Sequence, residues 1–240
     1  MSSNFIRIWS GFWAMMGSDL FYPQETGPIT DRLFAIQDKD TNLFLYSNGE
    51  STICIDSGYI SNGYLKREFE KVGVDPASIT HLFLTHMDMD HAGGIDRDSK
   101  TDWFQQAKVF VGRGEACLID GSTPRSFIFL NPVEISREYR LLSDGEEIQV
   151  SAMTVRAIAT PGHTPGHMAY LINGEILCSG DALVLGNGYV EPFYRTWNMN
   201  NEMVEQSIRK LATLENISVL CTGHAKCSRN FESAMKPWRW

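Results

Sequence analysis

Positive charge is scarce in this chain. Its 240 residues carry 21 lysines and arginines against 29 aspartates and glutamates, a formal net charge of −8. Phosphate recognition needs clustered basic side chains, so nucleic acid is not an expected partner. The same shortage leaves no basic helix to lie on a membrane. Cysteine is sparse too. Cys54, Cys117, Cys178, Cys221 and Cys227 make an odd set of five without close pairing. That suits a reducing compartment, and Cys54, Cys178 and Cys221 sit in strand-like apolar runs as expected core residues. No hydrophobic run is long enough to span a bilayer. The apolar stretch Phe5 to Met16 is interrupted by Arg7 and Ser10, and it lacks the basic start and small-residue cleavage site of a signal peptide. A cytoplasmic protein is the simplest expectation. Trp9, Phe12 and Trp13 in that stretch are expected to form a first strand, or an arm that packs on a second copy in a homo-oligomer. Low-complexity tracts and long linkers are missing, so residues 1–240 are expected to form one domain. No Ser-His-Asp or Cys-His constellation is evident.

Histidine is equally limited, at six residues: His81, His86, His91, His163, His167 and His224. Their distribution is far from even. The segment Thr85-His86-Met87-Asp88-Met89-Asp90-His91-Ala92-Gly93-Gly94 places two histidines and two aspartates within six residues. The apolar run Leu82-Phe83-Leu84 before it reads as a buried strand. Metal-competent side chains therefore leave a strand end together, fixed by a sheet and opened by a loop. Thr160-Pro161-Gly162-His163, Ser179-Gly180-Asp181 and Thr222-Gly223-His224 each follow a β-like run as well. Histidine and aspartate suit borderline cations such as zinc. His81 is expected to be a surface or packing residue, and His167 to support the turn that follows His163.

Two hairpins echo each other. Leu43-Phe44-Leu45-Tyr46 turns at Asn48-Gly49 into Ile53-Cys54-Ile55 and ends at Asp56. Ala169-Tyr170-Leu171-Ile172 turns at Asn173-Gly174 into Ile176-Leu177-Cys178 and leads to Asp181. Asn-Gly between apolar runs is a strong hairpin signal. The repetition predicts two related halves, roughly residues 1–120 and 121–240, each a sheet with helices outside. One helix is predicted from Asn62 to Val72. Another is capped by Asn200 or Asn201, with Met203, Val204, Ser207, Ile208, Leu211 and Leu214 as its apolar stripe. Met16 to Thr30 is turn-rich and is expected to be a loop at the groove mouth.

Together these motifs resemble the metallo-β-lactamase fold superfamily. Its pattern is His-x-His-x-Asp-His, then a Pro-Gly-His turn, a Gly-Asp and a final Gly-His, and the likeness runs from about Leu33 to His224. The resemblance implies an α/β fold, the four-layer αβ/βα sandwich, with the site in a groove between the halves. It also implies two metal ions per chain, zinc first and iron or manganese as alternatives. Carried over by position, His86, Asp88 and His163 would hold one metal, Asp90, His91 and His224 the other, and Asp181 would bridge them. Asp56 is expected either to accept the second N–H of a ligating imidazole or to bond nearby backbone as a turn residue. The implied chemistry is attack on a carbonyl by a hydroxide that bridges the metals, with Asp90 or Asp181 steering its proton.

One position departs from the pattern: Asp88 stands where the second histidine belongs. Two divalent ions bring about +4, and Asp90, Asp181 and a hydroxide about −3, leaving about +1. Ionised Asp88 would take the sum to about 0, weakening the Lewis acid and favouring harder metals. The flavodiiron proteins of the same superfamily carry a glutamate there and bind two irons. A di-iron oxidoreductase with a separate electron donor is therefore the alternative to a hydrolase. The Thr160 to His167 run is similar to that of N-acyl homoserine lactonases and glyoxalase II. The lactonases have a tyrosine three residues after the bridging aspartate, where this chain has Val184, and the glutathione-binding basic cluster of glyoxalase II is missing. The expectation is a hydrolase of a small ester, lactone or thioester. Tyr189, Phe193, Tyr194 and Trp197 are candidate pocket walls, and Arg195 is available for an anion.

Overall fold

Apolar alternation interrupted by tight turns builds this chain as two sheets laid face to face. The computed structural model describes residues 21–60, 63–101, 103–125 and 133–239. The segment with Trp9, Phe12 and Trp13 lies outside the described residues, as does Asn62 at the start of the first predicted helix.

The first sheet holds β1 (Gly27–Pro28), β2 (Leu33–Asp38), β3 (Thr41–Ser47), β4 (Thr52–Ile55), β5 (Ile79–Leu84), β6 (Lys108–Gly112) and β7 (Tyr139–Leu142), in that spatial order. β1 to β4 are antiparallel, and β4 to β7 run parallel. The chain changes sheets between Leu142 and Glu147, later than residue 120, because β7 still finds a parallel partner in β6. The second sheet is assembled from β8 (Glu147–Val150), β9 (Met153–Ala159), β10 (Met168–Ile172), β11 (Ile176–Cys178) and, beyond the separate hairpin β12 (Leu183–Gly186) and β13 (Tyr189–Pro192), β14 (Val219–Cys221). Its order is β14-β11-β10-β9-β8, with β14 parallel to β11. Both predicted hairpins are present. Asn173 and Gly174 have φ of 51° and 75°, the left-handed pair that a type I′ turn requires. At the other turn the Asn48 side chain accepts from the Glu50 and Ser51 amides.

Three apolar clusters define four layers. Phe44, Ile55, Phe83 and Phe110 of the first sheet face Val155, Met168, Tyr170 and Cys178 of the second. The Tyr170 hydroxyl crosses this interface to the Leu84 carbonyl at 2.7 Å. Outside the first sheet, helix α1 (Leu65–Val72) buries Leu65 and Phe69. The short α2 (Ala116–Ile119) follows β6. Outside the second sheet, α3 (Asn201–Ala212) buries Val204, Ser207, Ile208 and Leu211, and α4 (Phe231–Ala234) adds Phe231. Asn200 caps α3 by accepting from the Met203 amide at 3.1 Å. The predicted stripe needs two corrections, the first being that Leu214 lies beyond the end of α3 and is half-buried. Met203 is 37% exposed, because it lies about a quarter turn from the centre of the buried face, in the open first turn. Cys54, Cys178 and Cys221 are buried and unpaired, as expected of core residues. Among the described residues, no helix is long and apolar enough to cross a membrane.

Parallel strands put their carboxyl ends at one edge, where side chains of several strands can converge. Asp56 follows β4, His86 to His91 follow β5, Asp181 follows β11 and His224 follows β14. His163 joins them from the loop between β9 and β10.

Candidate metal centre

All seven residues marked by the sequence meet at this edge. His86, Asp88 and His163 form one set of ligand atoms close enough to hold an ion, and Asp90, His91 and His224 form another. Asp181 lies between them. Its Oδ2 is 3.9 Å from His86 Nε2, 3.6 Å from His163 Nε2 and 3.3 Å from His224 Nε2, and its Oδ1 is 3.4 Å from His91 Nε2. Gly223 makes room for this packing. A Cβ there would strike Asp181 Oδ1 and come within 2.9 Å of the His91 ring.

Hydrogen bonds behind the rings fix which nitrogen points inward. His91 Nδ1 donates to Asp56 Oδ2 at 2.8 Å, and His224 Nδ1 donates to the Asp40 carbonyl at 2.7 Å. The Thr85 hydroxyl gives its proton to Asp56, so it accepts from His86 Nδ1 at 2.9 Å. Asn198 uses its Nδ2 on the Phe193 carbonyl and Asn201 Oδ1, which leaves Oδ1 to accept from His163 Nδ1 at 3.1 Å. Each ring thus keeps its Nδ1 proton outward and turns its Nε2 toward the carboxylates, where it offers a lone pair when the ring is neutral. His91 Nε2 and His224 Nε2 face each other across 3.2 Å. His86 Nε2 and Asp181 Oδ1 are buried without a hydrogen-bond partner. Converging lone pairs of this kind repel unless a cation joins them, and imidazole with carboxylate is a donor set for zinc and its neighbours. The residues present fit a divalent metal.

His167 is set apart by the same reasoning. Its Nδ1 bonds Thr160 Oγ1 at 2.8 Å, and its Nε2 accepts the Asp181 amide at 3.0 Å. Both nitrogens are used: the bond to Thr160 spans the turn around His163 that it was expected to support, and Nε2 in addition holds the Asp181 turn. His81 stacks on Phe110 with ring centroids 5.7 Å apart. Asp56 also accepts the Thr85 amide at 2.7 Å, so it ties a ring and a backbone turn together. Glu115 does similar work on the other side: its oxygens accept the Met87 and Gly166 amides, both at 2.9 Å, joining the loops that carry His86 and His163.

The electrostatics of the two clusters differ. Burial pushes the His91 imidazole down, but Asp181, Asp90 and Asp56 overcome it and raise the ring to about 10. His224 is raised in the same way, by Asp181 and Asp90 against burial. His163 goes down instead, through burial and the neighbouring Arg125 guanidinium. Arg125 is 3% exposed. It forks onto Asp88, with Nε to Oδ1 at 2.6 Å and an Nη2 bond to Oδ2 at 2.7 Å. The same Nη2 reaches the Trp197 carbonyl at 2.9 Å and lies 3.1 Å from His163 Nε2. Burial raises the Asp88 carboxyl, but Arg125 and the adjacent histidines hold it well below the usual carboxylate range. Sequence reasoning missed Arg125. An isolated arginine between Pro124 and Ser126 carries no motif.

The space above the clusters is narrow, about 50 Å³, and is lined by Phe21, Tyr59, Met89 and Trp197 among others. Phe21, in the loop expected at the groove mouth, stacks on the His224 ring at 4.1 Å. Of the candidate pocket residues, Trp197 lines this space, and Phe193 packs on His163 and His224. Tyr194 stands behind them against Phe21 and Trp197. Two expectations are corrected. Tyr189 is 47% exposed on the β12–β13 hairpin, and Arg195 is exposed beside Glu205 at 4.0 Å. Neither lines the cavity: in the chain from β13 to α3, Trp197 lines it, Phe193 packs on His163 and His224, and Asn198 bonds His163. Larger clefts of about 590 and 800 Å³ lie elsewhere and contain none of the clustered residues.

Comparisons with known proteins agree with this geometry. The profile of the Metallo-beta-lactamase superfamily matches residues 37–224. YobT of Bacillus subtilis (strain 168) is 32% identical over 217 residues, which cover 81% of this chain and 87% of that protein. A human hydroxyacylglutathione hydrolase-like protein is 32% identical over 178 residues, 71% of this chain and 52% of its own. The chain spans about half the length of that protein and of the Aspergillus lactamase-like proteins it matches. Among solved structures, Rm3 metallo-beta-lactamase superposes with a TM-score of 0.67 at 18% identity, over 87% of this chain and 81% of that one.

Proposed function

The chain belongs to the metallo-beta-lactamase superfamily, and from that premise we propose that it is a metal-dependent hydrolase of a small ester, lactone or thioester. The observation that carries this reading is the convergence of four Nε2 lone pairs on three carboxylates, with each ring fixed from behind by its own partner. His86, Asp88 and His163 would hold one divalent ion, Asp90, His91 and His224 a second, and Asp181 would bridge them; zinc is the proposed metal. When bound, the ions would supply a Lewis acid for the substrate oxygen and would acidify a water to act as nucleophile.

The rest is the work of the chain's own residues. In this reading Asp181, buried between both clusters, and Asp90, at the cavity, would orient a water and take its proton. Asp56 and the Asp40 carbonyl keep His91 and His224 in the tautomer that leaves Nε2 free. Phe21 and Trp197 narrow the space above the clusters. The name of the human relative, a hydroxyacylglutathione hydrolase-like protein, supports acyl hydrolysis. Five free cysteines support a reducing compartment and, in this reading, the cytoplasm.

The oxidoreductase alternative drew on the extra negative charge of Asp88. Arg125 offsets that charge, so the hydrolase is preferred. The deciding experiment is a panel of esters, lactones and thioesters, run with metal-loaded protein and with metal-stripped protein as control. Metal-dependent turnover of one class is expected. A visible absorption band bleached by dithionite, with no hydrolysis across the panel, would replace this reading with the di-iron one.

A further inference from the structure

We propose that Arg125 is a built-in counter-cation for the Asp88 side of the centre, and that it makes the two clusters take up divalent metal unequally. The inference rests on the metal-binding reading above and extends it. A carboxylate offers about four lone-pair sites. Arg125 takes one on each Asp88 oxygen through a bidentate fork, the strongest form of this pairing. Its Nη2 also lies 3.1 Å from His163 Nε2, a second ligand atom of the same cluster. The Trp197 carbonyl anchors that nitrogen, and the guanidinium is buried, so the charge is fixed rather than free to swing away. An arginine cannot relieve the conflict by losing its proton. An ion held by His86, Asp88 and His163 therefore meets a permanent positive charge next to two of its three ligands.

Among the described residues, the other cluster has no such neighbour. Asp90, His91 and His224 contact one another, Asp181, Asp56, Thr41 and the Asp40 carbonyl. No arginine or lysine is among their described hydrogen-bond and ion-pair partners. Metal should fill this side first. The side with Arg125 should fill second and exchange more freely, as an ion that arrives with substrate or only at higher metal concentration would.

The test is a zinc titration of the full chain against a chromophoric chelator, repeated with cobalt to follow its ligand-field absorption. Wild type is expected to bind in two steps whose dissociation constants differ by at least about tenfold. His224→Ala should remove the tighter step and His163→Ala the weaker one. Arg125→Gln should tighten the weaker step by about ten- to a hundredfold, the size that partners of metal ligands ordinarily have, and leave the tighter step unchanged. Arg125→Lys keeps the charge and should keep the two steps apart. Two equal steps in wild type would overturn the role given to Arg125, and that result is readable even if Arg125→Gln does not fold. So would a weaker step that Arg125→Gln leaves unchanged or weakens further, since Arg125 would then be orienting Asp88 as a ligand. Uptake in neither step would instead remove the metal-dependent reading itself.

Discussion

The two sides of the centre use the same ligand chemistry and opposite surroundings. On one side, Asp90, His91 and His224 are surrounded by acceptors, and the excess negative charge holds His91 and His224 far above the ordinary imidazole range. On the other, Asp88 is already paired with Arg125, and His163 is driven down. A cluster that raises the affinity of its rings for a proton is short of positive charge, and a divalent ion answers the same demand more strongly. A cluster whose ring is driven down has its cation already. The difference also revises the charge count suggested by Asp88. The ion pair Asp88–Arg125 is neutral, as a histidine in that position would be, so the centre returns to about +1 rather than about 0. The aspartate alone therefore gives no reason to prefer iron or manganese to zinc.

The comparison breaks most completely at the residue that both sides share. Asp181 approaches all four Nε2 atoms within 3.9 Å. Asp181→Ala should abolish both binding steps, a loss well beyond the roughly ten- to hundredfold expected of a ligand's outer partner. Metal content after dialysis checks this. Retention of one full equivalent would mean that the two sides are more independent than this geometry allows. A smaller effect should separate the sides. Asp56→Asn weakens the acceptor directly behind His91 and reaches the other side only through Thr85, which holds His86. The tighter step should weaken about ten- to a hundredfold and the weaker one by distinctly less, since His86 feels the change at one remove. Chelator competition on the two proteins measures it.

How far the sequence carried this picture depends on which residues supply the signal. The hairpins were legible because Asn48-Gly49 and Asn173-Gly174 encode their own turns. The metal-competent residues were legible because strand-end loops concentrate them, as in the run from His86 to His91. His167 could be separated from the ligands only as an expectation. What settles its role is that the Asp181 amide occupies its Nε2, and no spacing rule reports that. Arg125 was invisible, since it reaches Asp88 from 37 residues away, without a motif of its own. Of the candidate pocket walls, Trp197 lines the cavity and the others do not, for the same reason. Composition offered Tyr189, Tyr194, Arg195 and Trp197 equally, and only the course of the chain after β13 decides that Trp197 turns in while Tyr189 and Arg195 turn out.

That distinction for His167 is itself testable. His167→Phe fills the same space and removes the acceptor of a buried amide. The cost should appear in folding stability, about 1–3 kcal/mol for the unsatisfied group, and should leave both metal-binding steps present. Denaturant unfolding of the metal-free protein and zinc titration of the folded protein read the two halves of this expectation. Loss of a binding step with stability intact would make His167 a ligand after all.

The smallest expected effect lies behind the His224 side. Asp38 is buried, and it accepts the Tyr59 amide at 2.8 Å and the Tyr64 hydroxyl. Tyr59 in turn donates its hydroxyl to Asp40, whose carbonyl holds His224. Burial raises the Asp38 carboxyl to about 6, against the lowering effect of Tyr64, Tyr59 and Lys39. A carboxyl raised in the folded state favours folding at low pH, where it is protonated. That contribution is complete below the unfolded value near 3.8 and is lost as pH climbs through about 6. Holding the charge at neutral pH then costs roughly 3 kcal/mol. Asp38→Asn removes the titration but forgoes the stronger bonds that an ionised acceptor receives, so a net gain of about 1 kcal/mol at pH 7 is expected. The gain should shrink as pH falls through about 6 and reverse at about pH 5, because the wild-type carboxyl then takes up its proton and regains part of the roughly 3 kcal/mol. Denaturant unfolding of metal-free wild type and variant at pH 4, 5, 6 and 7 gives the curve. A difference that does not change with pH would mean that Asp38 keeps an ordinary carboxylate despite its burial.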